Sequence, residues 1–309
     1  MINFRYHVVS LTAVFLALAV GMVLGTAALN GPVTEDLLDE TQSLRKSNGQ
    51  LRDQVAVLED ELARRDEFVA DVAPLVLDNK LKDRRVVVVA MPGAEQADVD
   101  AVVDNLKLAN ATLTGTVRLT DDFVDPGHKE DARDLATQVL PPNVTEVASD
   151  ADGVTASATL LGAVLLDHDP AVEKGDRTTV LTAYTEQKLI ETDGAITEPA
   201  QGMIIVTSLP FTERDASERN AAVLTSIKQF AAAGPVVLAA PGTGGDANPV
   251  VAVRDDATLS RTLSTVDNVN TSLGRLSTVL ALVERLGNNR TGHYGIGDGA
   301  SSRIPKPAS

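Results

Sequence analysis

From Val8 to Leu29 the chain reads VVSLTAVFLALAVGMVLGTAAL, a run without a single charged residue. As a helix with a rise of about 1.5 Å per residue, this run reaches roughly 33 Å, enough to cross a hydrocarbon core of about 30 Å. The alternative is a cleavable signal sequence, whose apolar region is usually shorter and whose exit carries small residues such as Gly25, Thr26, Ala27 and Ala28. The length favours an uncleaved anchor over residues 1–30. Arg5 and the α-amino group precede the run, while Glu35, Asp36, Asp39 and Glu40 follow it, so the positive-inside rule places the bulk of the chain outside the cytoplasm. Ala17, Gly21 and Gly25 recur every fourth residue and form one small-residue face on which two such helices can pack closely.

After Asn30, Gly31 and Pro32 break this helix, Leu37, Leu44, Leu51 and Leu58 fall seven residues apart. That spacing is a d series, with Thr34, Thr41, Asn48, Val55, Leu62 and Val69 at the matching a positions. The d series is interrupted at Arg65 and resumes at Val72. Asn48-Gly49 is a hairpin dipeptide by composition. The leucines on its two sides nevertheless share one heptad phase, so Asn48 reads as an a-position residue that sets register and favours two parallel strands. Gly49, at b, costs about 1 kcal/mol relative to Ala and marks a weak point. Glu40 at g and Arg45 at the next e can pair across two parallel helices. Residues 33–73 are therefore expected to form a coiled-coil stalk closed by Pro74, with Leu37, Leu44, Asn48, Leu51, Val55, Leu58 and Leu62 as its zipper and a homodimer or higher oligomer as its product. The competing reading is a lone amphipathic helix lying on the chain's own globular domain.

The remainder predicts an α/β domain over residues 80–286. Val86–Met91 is a continuous apolar run, as expected of a strand buried on both faces. A helix begins near Asp98 and shows Val102, Val103, Leu106 and Ala109 to one side, and Thr112–Leu119 supplies the next strand. The order returns in QGMIIVTSLP, RNAAVLTSIKQFAAAG and PVVLAAPGTGG. Such alternation argues for a mostly parallel sheet flanked by helices. Residues 121–200 look mainly helical, Leu273–Leu286 is the last strong helix, and 287–309 read as a Gly-rich flexible tail.

Motifs that carry chemistry are scarce. The turns after VVVVA and VVLAA contain glycine but no Gly-Lys-Ser/Thr phosphate loop, and Gly295–Gly299 lacks dinucleotide spacing. With 27 basic against 43 acidic residues, nucleic acid is excluded as a general partner. There is no cysteine, and Met1, Met22, Met91 and Met203 form no spaced motif, so a dense site for reduced copper is not visible. Asp167, His168 and Asp169 are the only compact metal-ligating cluster, while His7, His128 and His293 are scattered. No hydrolase or metalloprotease signature is present. The chain reads as non-enzymatic and without a cofactor.

The opening FRYHVVSLTAVFLALAVGMVLG, the zipper, the strand RRVVVVAMPGA and the closing HYGIGDGA together resemble the mycobacterial copper transport outer membrane protein family MctB, in order and over nearly the whole chain. The resemblance implies a cell-envelope protein of copper efflux and copper resistance, with copper ions as the transported species and a pore in the outer membrane. Related actinobacterial members imply another role, a single-span coiled-coil adaptor in cell separation that binds peptidoglycan hydrolases or their regulators. A membrane β-barrel needs alternating strands and aromatic girdles, whereas aromatics make up 3% of this chain and Trp is absent. The residues themselves point to an inner-membrane anchor. If the N-terminal run is an uncleaved anchor, the protein extracted from membranes retains Met1–Leu29 by N-terminal sequencing; a mature chain starting near Ala27 would assign the run to a signal sequence.

Overall fold

The computed structural model describes residues 4–29 and 32–306, with the side chains of 4–26 and 40–306. The expected break at Asn30 and Gly31 lies outside the described residues, as does the side chain of Leu37. By contacts the chain divides into residues 1–65 and residues 66–309.

In the first unit, helix α1 (Phe4–Leu29) contains an apolar stretch, Phe4–Thr26, long enough to cross a membrane and buried nowhere within the protein. Helix α2 (Pro32–Leu77) runs for 46 residues and carries Asn48 and Gly49 inside it, not in a turn. Pro74 was expected to close this helix, yet α2 continues to Leu77. The missing proline N–H falls in the last turn, and the Pro74 carbonyl still accepts from Asp78 N at 3.1 Å.

The second unit begins with the end of α2 and continues through β1 (Arg85–Ala90), α3 (Gln96–Leu108) and β2 (Thr112–Leu119). A helical stretch follows: α4 (Asp121–Val124), α5 (Lys129–Gln138), α6 (Gly153–Leu165) and α7 (Lys174–Glu186). Then come β3 (Ile190–Asp193), β4 (Gly202–Val206), α8 (Ala216–Ala233), β5 (Val236–Ala239), α9 (Pro249–Asp255) and α10 (Leu259–Thr262). The chain ends with β6 (Ser264–Val266), α11 (Ser272–Asn288) and β7 (His293–Tyr294).

The strands form one sheet in the order β3-β2-β1-β4-β5-β6-β7. Every neighbouring pair is parallel except β2 with β3. The continuous valines of β1 now have their reason. Val87 and Val89 face a layer built from α5, α6, α7 and α8, whereas Val86 and Val88 face α3, α11 and the end of α2. Two covered faces leave no solvent side, so the apolar run does not alternate. Ala73 and Leu77 of α2 are buried in the second layer, with Val69 and Val76 packed against it. Asp66 accepts from the backbone N of Ser272 at 3.2 Å and so satisfies an orphan donor at the start of α11.

Two further expectations are corrected. Strand β3, inside the region read as helical with loops, escapes sequence reading because it has four residues with Ile190 as its only apolar side chain. Its exposed Glu191 and Asp193 blunt the sheet edge against further pairing. Of residues 287–309, read as a flexible tail, 287–288 complete α11 and 293–294 form β7, which pairs with β6 through Thr265–His293 and Val266–Tyr294; 307–309 lie outside the described residues. Phe230 of α8 is fully buried beneath the sheet. Phe230→Ala is expected to destabilise this unit by about 3–5 kcal/mol in denaturant titration, through lost burial and the cavity left behind.

Candidate functional site

In open parallel sheets, ligands bind outside the carboxyl ends of the strands, above all where the strand order reverses. Here the reversal lies between β1 and β4. Ser208, just after β4, donates its hydroxyl to the carbonyls of Pro92 at 3.2 Å and Leu209 at 2.8 Å, tying the two turns together. One hydroxyl thus links the two turns at the switch point.

Farther along the same edge the residues are more demanding. After β5, Asn248 donates Nδ2 to the carbonyls of Gly242 and Gly244, while its Oδ1 accepts from Val250 N and caps α9. After β6, Asp267 is fully buried and pairs at 2.8 Å with Arg254 of α9, itself 4% exposed. The remaining carboxylate capacity goes to Ile296 N at 2.8 Å and Gly297 N at 3.1 Å. Arg254 spends its other donors on Thr265 Oγ1 and on the carbonyls of Asp298 and Tyr294. A buried ion pair is tolerable only when its leftover donors and acceptors are met in this way.

The glycines of HYGIGDGA are what let the tail approach. A Cβ on Gly295, whose φ is +129°, would sit 2.1 Å from Asp267 Oδ1, and one on Gly297 would sit 2.5 Å from Thr243 Cγ2. The tail glycines thus close on Asp267, and the turn after β5 meets them through Thr243. His293 belongs to this closure as well. Its Nε2 donates to the Ser260 carbonyl at 3.1 Å, so Nδ1, 2.9 Å from Thr265 Oγ1, is left to accept the threonine hydroxyl. Burial, and then the Arg254 charge, push its pKa below the ordinary histidine value. Both ring nitrogens are thereby occupied, which removes His293 as a metal ligand. Tyr294 donates to Glu284, and burial together with that carboxylate raises the phenol's pKa.

The other residues singled out in the sequence do not converge. Asp167 turns to Arg85, with two contacts of 2.8 and 2.9 Å, whereas His168 turns to Glu146 and the Pro170 carbonyl. Met91 and Met203 are sealed in the core, and Met22 is exposed on α1. Met1 lies outside the described residues. Among the described residues no three His, Asp or Glu side chains are grouped to hold a metal ion. On α2, Leu44, Leu51, Val55, Leu58 and Leu62 are each between 52% and 64% exposed, and Asn48 is exposed among them. Ala17 and Gly21 are exposed on α1, where Gly25 is half-buried. The next a position after Leu62, Val69, packs on the α/β core.

Sequence reasoning missed the Arg254–Asp267 pair, although glycine at every second position from Gly295 to Gly299 was a signal of close backbone approach. Asp267→Ala, which strands Arg254 in the interior, is expected to cost about 3–5 kcal/mol in denaturant unfolding. Asp104→Ala, which removes only the exposed pair with Lys107, is expected to cost about 0–1 kcal/mol.

Residues 1–305 match the family described as "Copper transport outer membrane protein, MctB". The chain is 32% identical over 310 residues to Copper transporter MctB of Mycobacterium tuberculosis (strain ATCC 25618 / H37Rv), covering 98% of each chain. It is 35% identical over 320 residues to Copper transporter MctB of Mycobacterium leprae (strain TN), again covering 98% of each.

Proposed function

Because the chain belongs to the MctB family, we propose that it is a copper-transport protein of the cell envelope that works as a self-associated assembly. The observation that carries this reading is the row of solvent-facing apolar residues on α2. Leu44, Leu51, Val55, Leu58 and Leu62 hold one heptad phase and stay exposed in the single chain. Left in water such a seam is costly, and a second helix in register buries it. Asn48 at its a position favours two parallel strands. The seam ends at Leu62, because beyond Arg65 the same phase is used by Val69 and Val76 for packing on the chain's own domain. Ala17, Gly21 and Gly25 offer α1 a matching face for close packing in a membrane.

Copper in this picture is cargo. The α/β unit offers no closed cage among its described residues, and efflux does not need one, since a conducted ion must bind weakly enough to leave. The names of the relatives are those of a transporter and not of an enzyme. With α1 as the anchor, the positive flank at Arg5 puts the α/β unit outside the cytoplasm.

A second reading is favoured by the closure of the sheet's carboxyl edge, where Ser208 and Asp267 spend their capacity within the chain. A domain closed in this way suits an adaptor that presents its outer surface to a peptidoglycan hydrolase or its regulator. Purified full-length protein in planar bilayers distinguishes the two. The transport reading expects conductance that is lost on deletion of residues 1–30; absent conductance, with a peptidoglycan hydrolase co-purifying through α2, favours the adaptor. Leu51→Asp combined with Leu58→Asp in a fragment lacking residues 1–30 is expected to give monomers by light scattering, and an unchanged oligomer would remove the α2 seam from the reading.

A further inference from the structure

The α5–α6 connection (139–152) and the α6–α7 connection (166–173) are fastened to each other through His168. Its Nδ1 lies 2.8 Å from the Pro170 carbonyl and its Nε2 lies 3.1 Å from Glu146 Oε1. A carbonyl and an ionised carboxylate only accept hydrogen bonds, so the ring serves both only when each nitrogen carries a hydrogen, that is, as the imidazolium. A neutral ring has one N–H and turns a lone pair toward the other acceptor.

The surroundings isolate this response. Glu146 faces the ring from the α5–α6 connection, and Asp167 and Asp169 flank it in the chain. Asp167 is committed to Arg85 of β1, and Arg177 of α7, which feels the Asp167 charge and donates to the Val172 carbonyl, is a second cation beside the connection. Helices α6 and α8 contribute only neutral groups, Thr159 and Gln229 among them, to a cavity of about 280 Å³ that Glu146, Asp167, His168 and Asp169 also line. The second fastener, Asn143 Nδ2 donating to the carbonyls of Pro170 and Ala171 at 3.2 and 2.7 Å, does not titrate. The His168 side chain is 13% exposed and that of Glu146 53%, so solvent reaches the contact from the carboxylate side.

We propose that His168 and Glu146 form a pH-responsive latch, which holds the 139–152 connection as a wall of this cavity while the imidazole is charged and releases its Glu146 arm when the proton is lost. Burial pushes the Glu146 carboxyl up, but backbone hydrogen bonding and the bond and charge of His168 outweigh it and hold the group below its ordinary value. The carboxylate's contribution is therefore complete above the usual carboxylate range and is lost as pH falls through the lowered value. The latch is closed while the ring and the carboxylate are both charged, and its Glu146 arm opens once the ring is neutral.

Amide hydrogen exchange of the full-length protein in detergent, at about pH 5.5 and pH 8 and corrected for the intrinsic pH dependence, tests this. Peptides covering 144–152 are expected to lose protection by about threefold or more at the higher pH, while α6 and α8 keep theirs. Glu146→Gln and His168→Gln are each expected to flatten that dependence. Equal protection at both pH values in the unaltered chain, or an undiminished dependence in Glu146→Gln, would overturn the latch. The ring ¹⁵N shifts of His168 in the unaltered protein give a check that needs no variant: two protonated nitrogens are expected at the lower pH, and a neutral ring there would overturn it.

Discussion

A parallel sheet whose strands are apolar on both sides cannot exist without two covering layers, and most of the architecture follows from that requirement. Val86–Val89 give β1 two dry faces, and β4 and β5 are buried throughout. One layer comes from the helices between β2 and β4 together with α8. The other comes from α3, α11 and the last turns of α2. The long helix is thus a structural member of the domain from Asp66 onward, and Ala73 and Leu77 are as much part of the core as the valines they cover.

The same sheet places a polar demand at its carboxyl edge. Strands β5 and β6 end beside a fully buried aspartate, which is tolerable because Arg254 neutralises it and two tail amides complete its hydrogen bonds. This makes the closing glycine motif a matter of closure: side chains at Gly295 and Gly297 would collide with Asp267 and Thr243. The edge beyond β5 and β6 is thus occupied by the chain's own carboxyl-terminal segment. Interest in this family member therefore shifts from the sheet edge to the apolar seam of α2 and to the His168 connection.

Helix α2 carries one heptad phase through two different settings. From Leu44 to Leu62 its apolar positions are exposed, whereas Val69 and Val76, in the same phase, pack on the α/β core. Arg65, a charged residue at a d position, stands where the use changes, and the chain's contacts divide at the same residue. Periodicity alone marks a face as apolar and does not say what covers it. For that reason the zipper and the lone amphipathic helix remained competing readings of one pattern, and the domain-packing alternative applies to Val69 and beyond.

What the sequence by itself determined is whatever depends on neighbours a few residues away. The uncharged run makes a membrane-length helix, the seven-residue spacing makes a long amphipathic one, and the valine runs make strands buried on both faces, because the period of each pattern is local. The family was also legible in the opening and closing motifs, and the match covers residues 1–305. The order of the strands, the antiparallel edge at β3, the folding of the tail and the split of the Asp167–His168–Asp169 cluster were decided only in the tertiary structure. Their cause is the need to satisfy buried charge and backbone amides with partners far along the chain: Arg254 with Asp267, Asp267 with Ile296, Arg85 with Asp167, Glu146 with His168. No local period encodes such pairings, because each exists only once the sheet has brought its two ends together.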